Sequence, residues 1–200
     1  MINFRKDIVN IDLECTASEK ELGSICDIGA VLIDKNTLEI KNEFSSLIRP
    51  YKIYFDPRAM AVHGIPKEEL MKARPLEMVL DNFQLWITRD CEKQNEKHVH
   101  LSSWGSYFDI PYLIEAYKFL HRDYPFDYKY MNLKDFMRYD CALTGKPFKG
   151  GLGRASRVLE LPQEWEKHRA LPDAIQGALI LKALVERRLK NKISKEFLSL

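Results

Sequence analysis

The sequence predicts an α/β fold in which a mixed five-stranded sheet is flanked by helices. Three observations carry this: three β-rich runs open the chain, two later β-rich stretches each lead into a helical pattern, and a long amphipathic helix closes it. The run "DIVNIDL", residues 7–13, has the β-branched content of a strand. "SICDIGAVLID", "KNT" and "LEIKNEFSSLI" read in turn as a strand, a turn and a returning strand, which makes a hairpin. After "RPYKIYFDP" the period changes. A short helical segment precedes "VHGIP", and "PLEMVLDNFQLWI" sets Leu76, Val79, Leu80, Phe83 and Ile87 on one helix face. The polar run "TRDCEKQNEKH", 88–98, reads as a surface loop before a fourth strand, "VHLSSW". Helix "DIPYLIEAYKFLHRDY", 109–124, stops before Pro125, and a short strand near Met131 followed by a helix fills Tyr128 to Asp140. "GLGRASRVLEL" is a further helix; the last runs from about Pro172 to Lys190 with Ile175, Ala178, Leu179, Ala183 and Leu184 on its buried side. Gly150 and Gly151 suit a loop before a helix and lack the spacing of a nucleotide cradle.

Composition narrows the class. A chain of 200 residues, 46% hydrophobic and 30% charged, can bury a real core and fits one domain, expected over 1–200 with its core at about 5–190. The net charge of +2 excludes a polycation that coats nucleic acid by bulk charge, so any such contact must be local. Cys15, Cys26, Cys91 and Cys141 have no metal-site rhythm, which points to free thiols in a reducing compartment and a cytoplasmic protein. The opening "MINFRKDIVNI" is too short an apolar run for a secretion signal, and no stretch approaches the roughly 20 apolar residues that span a bilayer, so no membrane contact is expected. Internal repeats, low-complexity tracts and linkers are absent from the sequence.

Chemistry concentrates in a few acids. Spaced two apart on a strand, Asp12 and Glu14 share one face with Cα atoms roughly 7 Å apart. Water, a basic partner or a divalent cation each relieve that repulsion, and only the cation makes the pairing a requirement of chemistry. Asp109 follows a strand and a small-residue turn, at a helix start where an acid also serves as a cap or dipole partner. In "HRALPDA", Pro172 suits a first helical turn, which sets Asp173 near a helix N-terminus and His168 on the loop before it; a surface histidine and a cap account for the pair equally well. "HGI", His63 to Ile65, is a turn between helices, and Gly64 alone would explain it as a helix stop.

Asp12, Glu14, Asp109, His168 and Asp173, in that order and on those elements, resemble the DEDDh family of 3′ to 5′ exonucleases, the DnaQ-like and RNase T-like exonuclease domain. "DLECT" is similar to its first motif, "DIGAVLID" and "FSSLIRP" to its hairpin, "VHGI" to its 3′-end loop, "WGSYFDIPYL" to its second motif and "HRALPDA" to its third. Three positions depart from the common pattern without touching an acid of the set: Ala17 stands where Gly is frequent, Asp27 where Glu is frequent, and Pro172 is unusual before the last acid.

The resemblance implies an RNase H-like fold and hydrolysis of phosphodiester bonds at the 3′ end of RNA or single-stranded DNA, releasing nucleoside 5′-monophosphates. It implies two Mg²⁺ or Mn²⁺ ions, with Asp12 bridging them, Glu14 and Asp173 completing one and Asp109 reaching the other. His168 would take the proton of the attacking water, a task suited to an imidazole, whose ordinary pKa is about 6.5. Leu13, Thr16, His63, Ile65 and Phe108 are the implied contacts to the terminal nucleotide, with core packing an even alternative for Leu13 and the better one for Phe108. Trp104 and Tyr107 offer stacking faces, and the tail "KALVERRLKNKISK" reads either as a solvated helix face or as a track for phosphates. The hairpin and the tryptophan-glycine pair before Asp109 resemble the RNA-trimming members more than polymerase proofreading subunits. The competing reading is a non-catalytic module on the same fold that holds a nucleic-acid end or a protein; retention of all five chemical residues opposes it. Oligomeric state is not legible.

Overall fold

A computed structural model describes residues 2–90, 99–162 and 168–197. The elements run β1 (Asp7–Cys15), β2 (Ile25–Ile33), β3 (Ile40–Leu47), α1 (Pro57–His63), α2 (Lys67–Lys72), α3 (Leu76–Asp90), β4 (Val99–Ser103), α4 (Asp109–Phe119), β5 (Met131–Asn132), α5 (Leu133–Leu143), α6 (Leu152–Val158) and α7 (Ala170–Phe197). The five strands form one sheet in the order β3-β2-β1-β4-β5. β1 pairs antiparallel with β2 and β2 with β3, whereas β1 with β4 and β4 with β5 are parallel, so the sheet is mixed as the strand pattern predicts.

β1 is covered on both faces, and its parity decides what faces what. Val9, Ile11, Leu13 and Cys15 enter a cluster with Leu80 and Phe83 of α3 and Leu113 and Tyr117 of α4. Ile8, of the other parity, packs with Ala178 and Leu181 of α7. Asn10, Asp12 and Glu14 therefore share the face that α7 crosses. In β2 the same alternation turns Asp27 and Gly29 toward α7, since Ile28 and Ala30 belong to the opposite cluster.

Several boundaries differ from the sequence reading. β1 continues to Cys15, and α4 ends at Phe119 instead of Tyr124, because the Leu120 amide already turns back to Ala116 and His121 takes a left-handed φ of 54°. α6 stops at Val158 for the same kind of reason, with Glu160 at φ 56°. A short helix that the sequence reading did not single out, α2, follows Pro66. α7 begins two residues earlier than expected, which puts Pro172 in its first turn, where a missing amide costs no helical bond. Leu179 and Ala183 are half-exposed, not buried. α7 packs against the sheet through Ala178 and Leu181 and against α5 and α6 through Ile180 and Leu184, so its buried stripe is wider and rotated from the expected one. The expected surface loop at 88–98 begins inside α3, and 91–98 lie outside the described residues, Cys91 among them. Cys15, Cys26 and Cys141 are free and buried.

Candidate active site

The parallel pairing of β1 with β4 stops at Asn10 and Ser102, so the second half of β1, from Ile11 to Cys15, runs on past its neighbour. At that edge the Leu13 amide donates to Asp109 Oδ1 at 3.1 Å, which fixes the first residue of α4 beside the acids of β1. The arrangement lies outside the carboxyl end of the parallel strands, at the strand where the order reverses, the place where open α/β sheets leave a crevice.

α7 delivers the other side. A Cβ on Gly29 would lie 2.1 Å from the Ala170 carbonyl carbon and the Leu171 nitrogen, so a glycine is what allows the first turn of α7 to touch the β2 backbone. Gly29 is the ladder partner of Asp12, and Asp27 that of Glu14. Asp27 Oδ2 accepts from Arg169 Nε at 3.1 Å and from the Ala170 amide at 3.3 Å, pinning the turn that holds His168 at φ 61°. The exposed His168 and the half-buried Asp173 are thereby brought to Glu14: a ligand atom from each of Glu14, His168 and Asp173 lies within 4.8 Å of the others.

Packing these carboxyls together changes their protonation. Burial, then the charges of Asp173, Asp27 and Asp109, pushes the Glu14 carboxyl up to about 8. Burial pushes Asp109 up to about 7, against the pull of the nearby Ser103 hydroxyl and the Leu13 amide. Asp12 is raised well above the carboxylate range, by desolvation first and then by Asp109, Asp173, Glu14 and Asp27. Asp173 is raised by burial and drawn back by His168. The donor set is hard: carboxylate oxygens with one imidazole, the neighbouring Cys15 thiol being held protonated by burial. Such a cluster fits a divalent cation, and the like charges give the cation something to neutralise.

A cleft of about 460 Å³ opens beside Glu14, walled by Leu13 and Phe108 on one side and by Arg58, Ala59 and Val62 of α1 on the other. Three of the five expected nucleotide contacts, Thr16, His63 and Ile65, do not line it. The Thr16 hydroxyl is occupied internally, accepting from the Ser24 amide and donating to the Tyr54 carbonyl, each at 2.9 Å. Buried His63 accepts the Ile65 amide at Nδ1 (3.0 Å) and sets Nε2 3.6 Å from Cys26 Sγ; burial and the Arg169 charge keep its pKa low. Ile65 packs with Cys26 and Leu70. Trp104 is turned inward, edge-on to Phe148 at 6.0 Å, while Tyr107 is exposed. Asp27, Arg169 and Gly29 escaped the sequence reading as site residues. Asp27 was the accessible one, since hairpin register alone sets it opposite Glu14.

A family model described as "Exonuclease", RNase T, matches residues 9–181. The chain belongs to this exonuclease family, of the DEDDh type that its motifs resemble. Its structure is similar to that of a 3′-exonuclease in specific recognition of the 3′ end of a histone mRNA stem-loop, at 19% identity and TM-score 0.76 over 93% of this chain and 65% of that one. It is similar to the nuclease domain of 3′hExo, a DEDDh family member, bound to rAMP, at 19% identity and TM-score 0.75, covering 94% of this chain and 95% of that one. It is also similar to the zinc-bound form of E. coli ExoI complexed with ssDNA, at 16% identity and TM-score 0.75, over 97% of this chain and 43% of that one. The chain thus spans just under two thirds of the first of these, and at such identities the likeness establishes the RNase H-like fold. Among curated proteins, none matches the sequence. No helix among the described residues is long and apolar enough to cross a membrane.

Proposed function

We propose that this chain is a nuclease, a divalent-metal-dependent 3′ to 5′ exonuclease acting on RNA or single-stranded DNA and releasing nucleoside 5′-monophosphates. The observation that carries the reading is the convergence of Asp12, Glu14, Asp109 and Asp173, all with raised pKa values, those of Asp12 and Glu14 partly through the other acids, beside the exposed imidazole of His168. These four acids would hold two Mg²⁺ or Mn²⁺ ions, which when bound supply positive charge to both the attacking and the leaving oxygen of a phosphodiester. His168 stands at the solvent side of the cluster and takes the proton of the attacking water. Leu13 and Phe108, lining the cleft beside Glu14, hold the terminal nucleoside against apolar surface, while His63, Thr16 and Ile65 do not line that cleft.

The test is digestion of end-labelled RNA and DNA with and without Mg²⁺ or Mn²⁺. Shortening from the 3′ end, dependent on the ion and blocked by a 3′ phosphate, is expected. Cutting of a circular single strand would make the chain an endonuclease, and no ion-dependent shortening of either polymer would favour a binding module.

A further inference from the structure

The charge of this chain is nearly balanced, yet one stretch is not. From Thr144 to Val158 the sequence holds Lys146, Lys149, Arg154 and Arg157 and no acid. All four are exposed, and none pairs with a carboxylate among the described residues. The terminal helix makes the contrast: Lys182 pairs with Glu39 and Glu186, and Arg187 and Arg188 both pair with buried Asp140, so these cations are already neutralised within the fold.

The stretch is anchored at the end of the sheet where the site lies. Phe148 meets the Trp104 ring edge-on at 6.0 Å, and Trp104 directly follows β4 and precedes the turn into Asp109. Phe148 and Leu152 also pack with Ile180 and Leu184 of α7, the helix whose first turn bears Asp173. Helical side chains lean toward the N-terminus. One glycine gives that lean room for Arg154, since a Cβ on Gly150 would sit 2.7 Å from Arg154 Cδ; an Arg157 guanidinium nitrogen lies 4.0 Å from where a Cβ of Gly153 would be. Arg154 thus lies back over Gly150, and Arg157 over the first turn of α6 at Gly153. Four exposed cations on one stretch thus have no carboxylate partner among the described residues.

From this charge and placement we infer that the bend from Lys146 to Arg157 is a docking surface for the phosphodiester backbone of a single strand, upstream of the 3′ terminal nucleotide. Arg154 and Arg157 supply planar forks suited to phosphate oxygens and the two lysines point charges. The inference rests on the exonuclease reading for the direction of the strand, and on charge for its chemistry.

The experiment measures binding without catalysis. A labelled 20-residue single strand is titrated by fluorescence anisotropy at several salt concentrations, in the absence of divalent ions. Wild type is compared with a variant bearing Lys146→Gln, Lys149→Gln, Arg154→Gln and Arg157→Gln. A control loses four other exposed cations, by Lys72→Gln, Arg74→Gln, Lys118→Gln and Lys129→Gln, so that net charge falls equally. A slope of log affinity against log salt that becomes shallower by about 0.7 per lost contact, up to roughly 3, is expected for the first variant and not for the control. Equal slopes for the two variants would overturn the proposal. Hydrolysis of thymidine 5′-monophosphate p-nitrophenyl ester, which has no upstream chain, reads the site itself. It stays at the wild-type rate in the first variant, which also shows that the variant folds; its absence in wild type, with binding as expected, would overturn the exonuclease reading and leave the docking surface standing.

Discussion

The two ends of β1 both bury polar side chains and treat them in opposite ways. At the first end, Asp7 accepts from the Lys35 amide at 3.0 Å and pairs with Lys41 Nζ at 3.2 Å, while Asn10 donates to the Ala174 carbonyl at 2.7 Å and accepts from Ser102 Oγ at 2.8 Å. At the other, Asp12 and Glu14 face Asp109 and Asp173, and their neighbours push their pKa values up instead of holding them down. Burial without compensation costs stability, so a fold selected for stability alone would not repeat at Asp12 and Glu14 what it avoids at Asp7 and Asn10. The difference separates polar groups that build the fold from polar groups held ready for something the chain itself does not contain.

The largest break in that contrast comes from Asp12→Ala. Loss of a shared ligand removes several kcal/mol of charge stabilisation, so nuclease activity should fall on the order of a thousandfold or more. Calorimetry should show weakened Mn²⁺ binding; unchanged binding would sink the bridging role. His168→Ala comes next, with a loss of roughly 10² to 10⁴ in rate and all four carboxylates in place. Ions should still bind, and the acidic limb of the activity profile should flatten, since the group that stops accepting a proton is gone. Near wild-type turnover with the same acidic limb would make His168 a bystander, and lost ion binding would make it a ligand, as its approach to Glu14 and Asp173 also permits.

At the satisfied end the response reverses. Asn10→Ala leaves the Ala174 carbonyl and the Ser102 hydroxyl without their partners inside the core, a cost of about 1–3 kcal/mol in unfolding free energy. Urea denaturation should show the lowered midpoint, while kcat measured on the folded variant stays within a few-fold of wild type. A large kcat loss at unchanged stability would mean that Asn10 belongs to the site and not to the frame.

How much of this was legible in the sequence follows the same division. β1, β2 and β4 were readable as short β-rich runs buried almost throughout, β3 and α3 because each buries one periodic face, and the acids were readable as an ordered set of motifs on those elements. What pins them was not. The Asp27–Arg169 contact joins β2 to the turn before α7 across a long stretch of chain, and the Asn10–Ala174 bond does likewise, so neither leaves a local pattern. Helix ends were missed where a single residue turns left-handed, as at His121, since His at that position carries no glycine-like signal. Thr16 and His63 carried a motif resemblance that says nothing about which way a hydroxyl or a ring nitrogen points; both turn inward.

The smallest effect, a shift in thermal stability with pH, tests the unsatisfied end most directly. Folded Glu14 and Asp109 hold their protons up to about 8 and about 7, whereas in the unfolded chain they release them near ordinary carboxylate values of about 4. Between those limits the folded state binds more protons than the unfolded one, so stability declines as pH rises. The contribution is complete below the unfolded pKa and is lost as pH climbs through 7 and 8. In chelator, then, the melting temperature should fall by several degrees from pH 5 to pH 9, and Asp12→Asn, which removes one of the crowded charges, should melt higher than wild type at pH 8. Millimolar Mg²⁺ or Mn²⁺ should restore wild type there, because an ion that binds only the folded, deprotonated cluster stabilises it by mass action, and should do much less for Asp12→Asn. A metal-free melting curve independent of pH would mean that the four carboxyls relieve one another in solution by spreading apart, and that the site forms only when an ion draws them together.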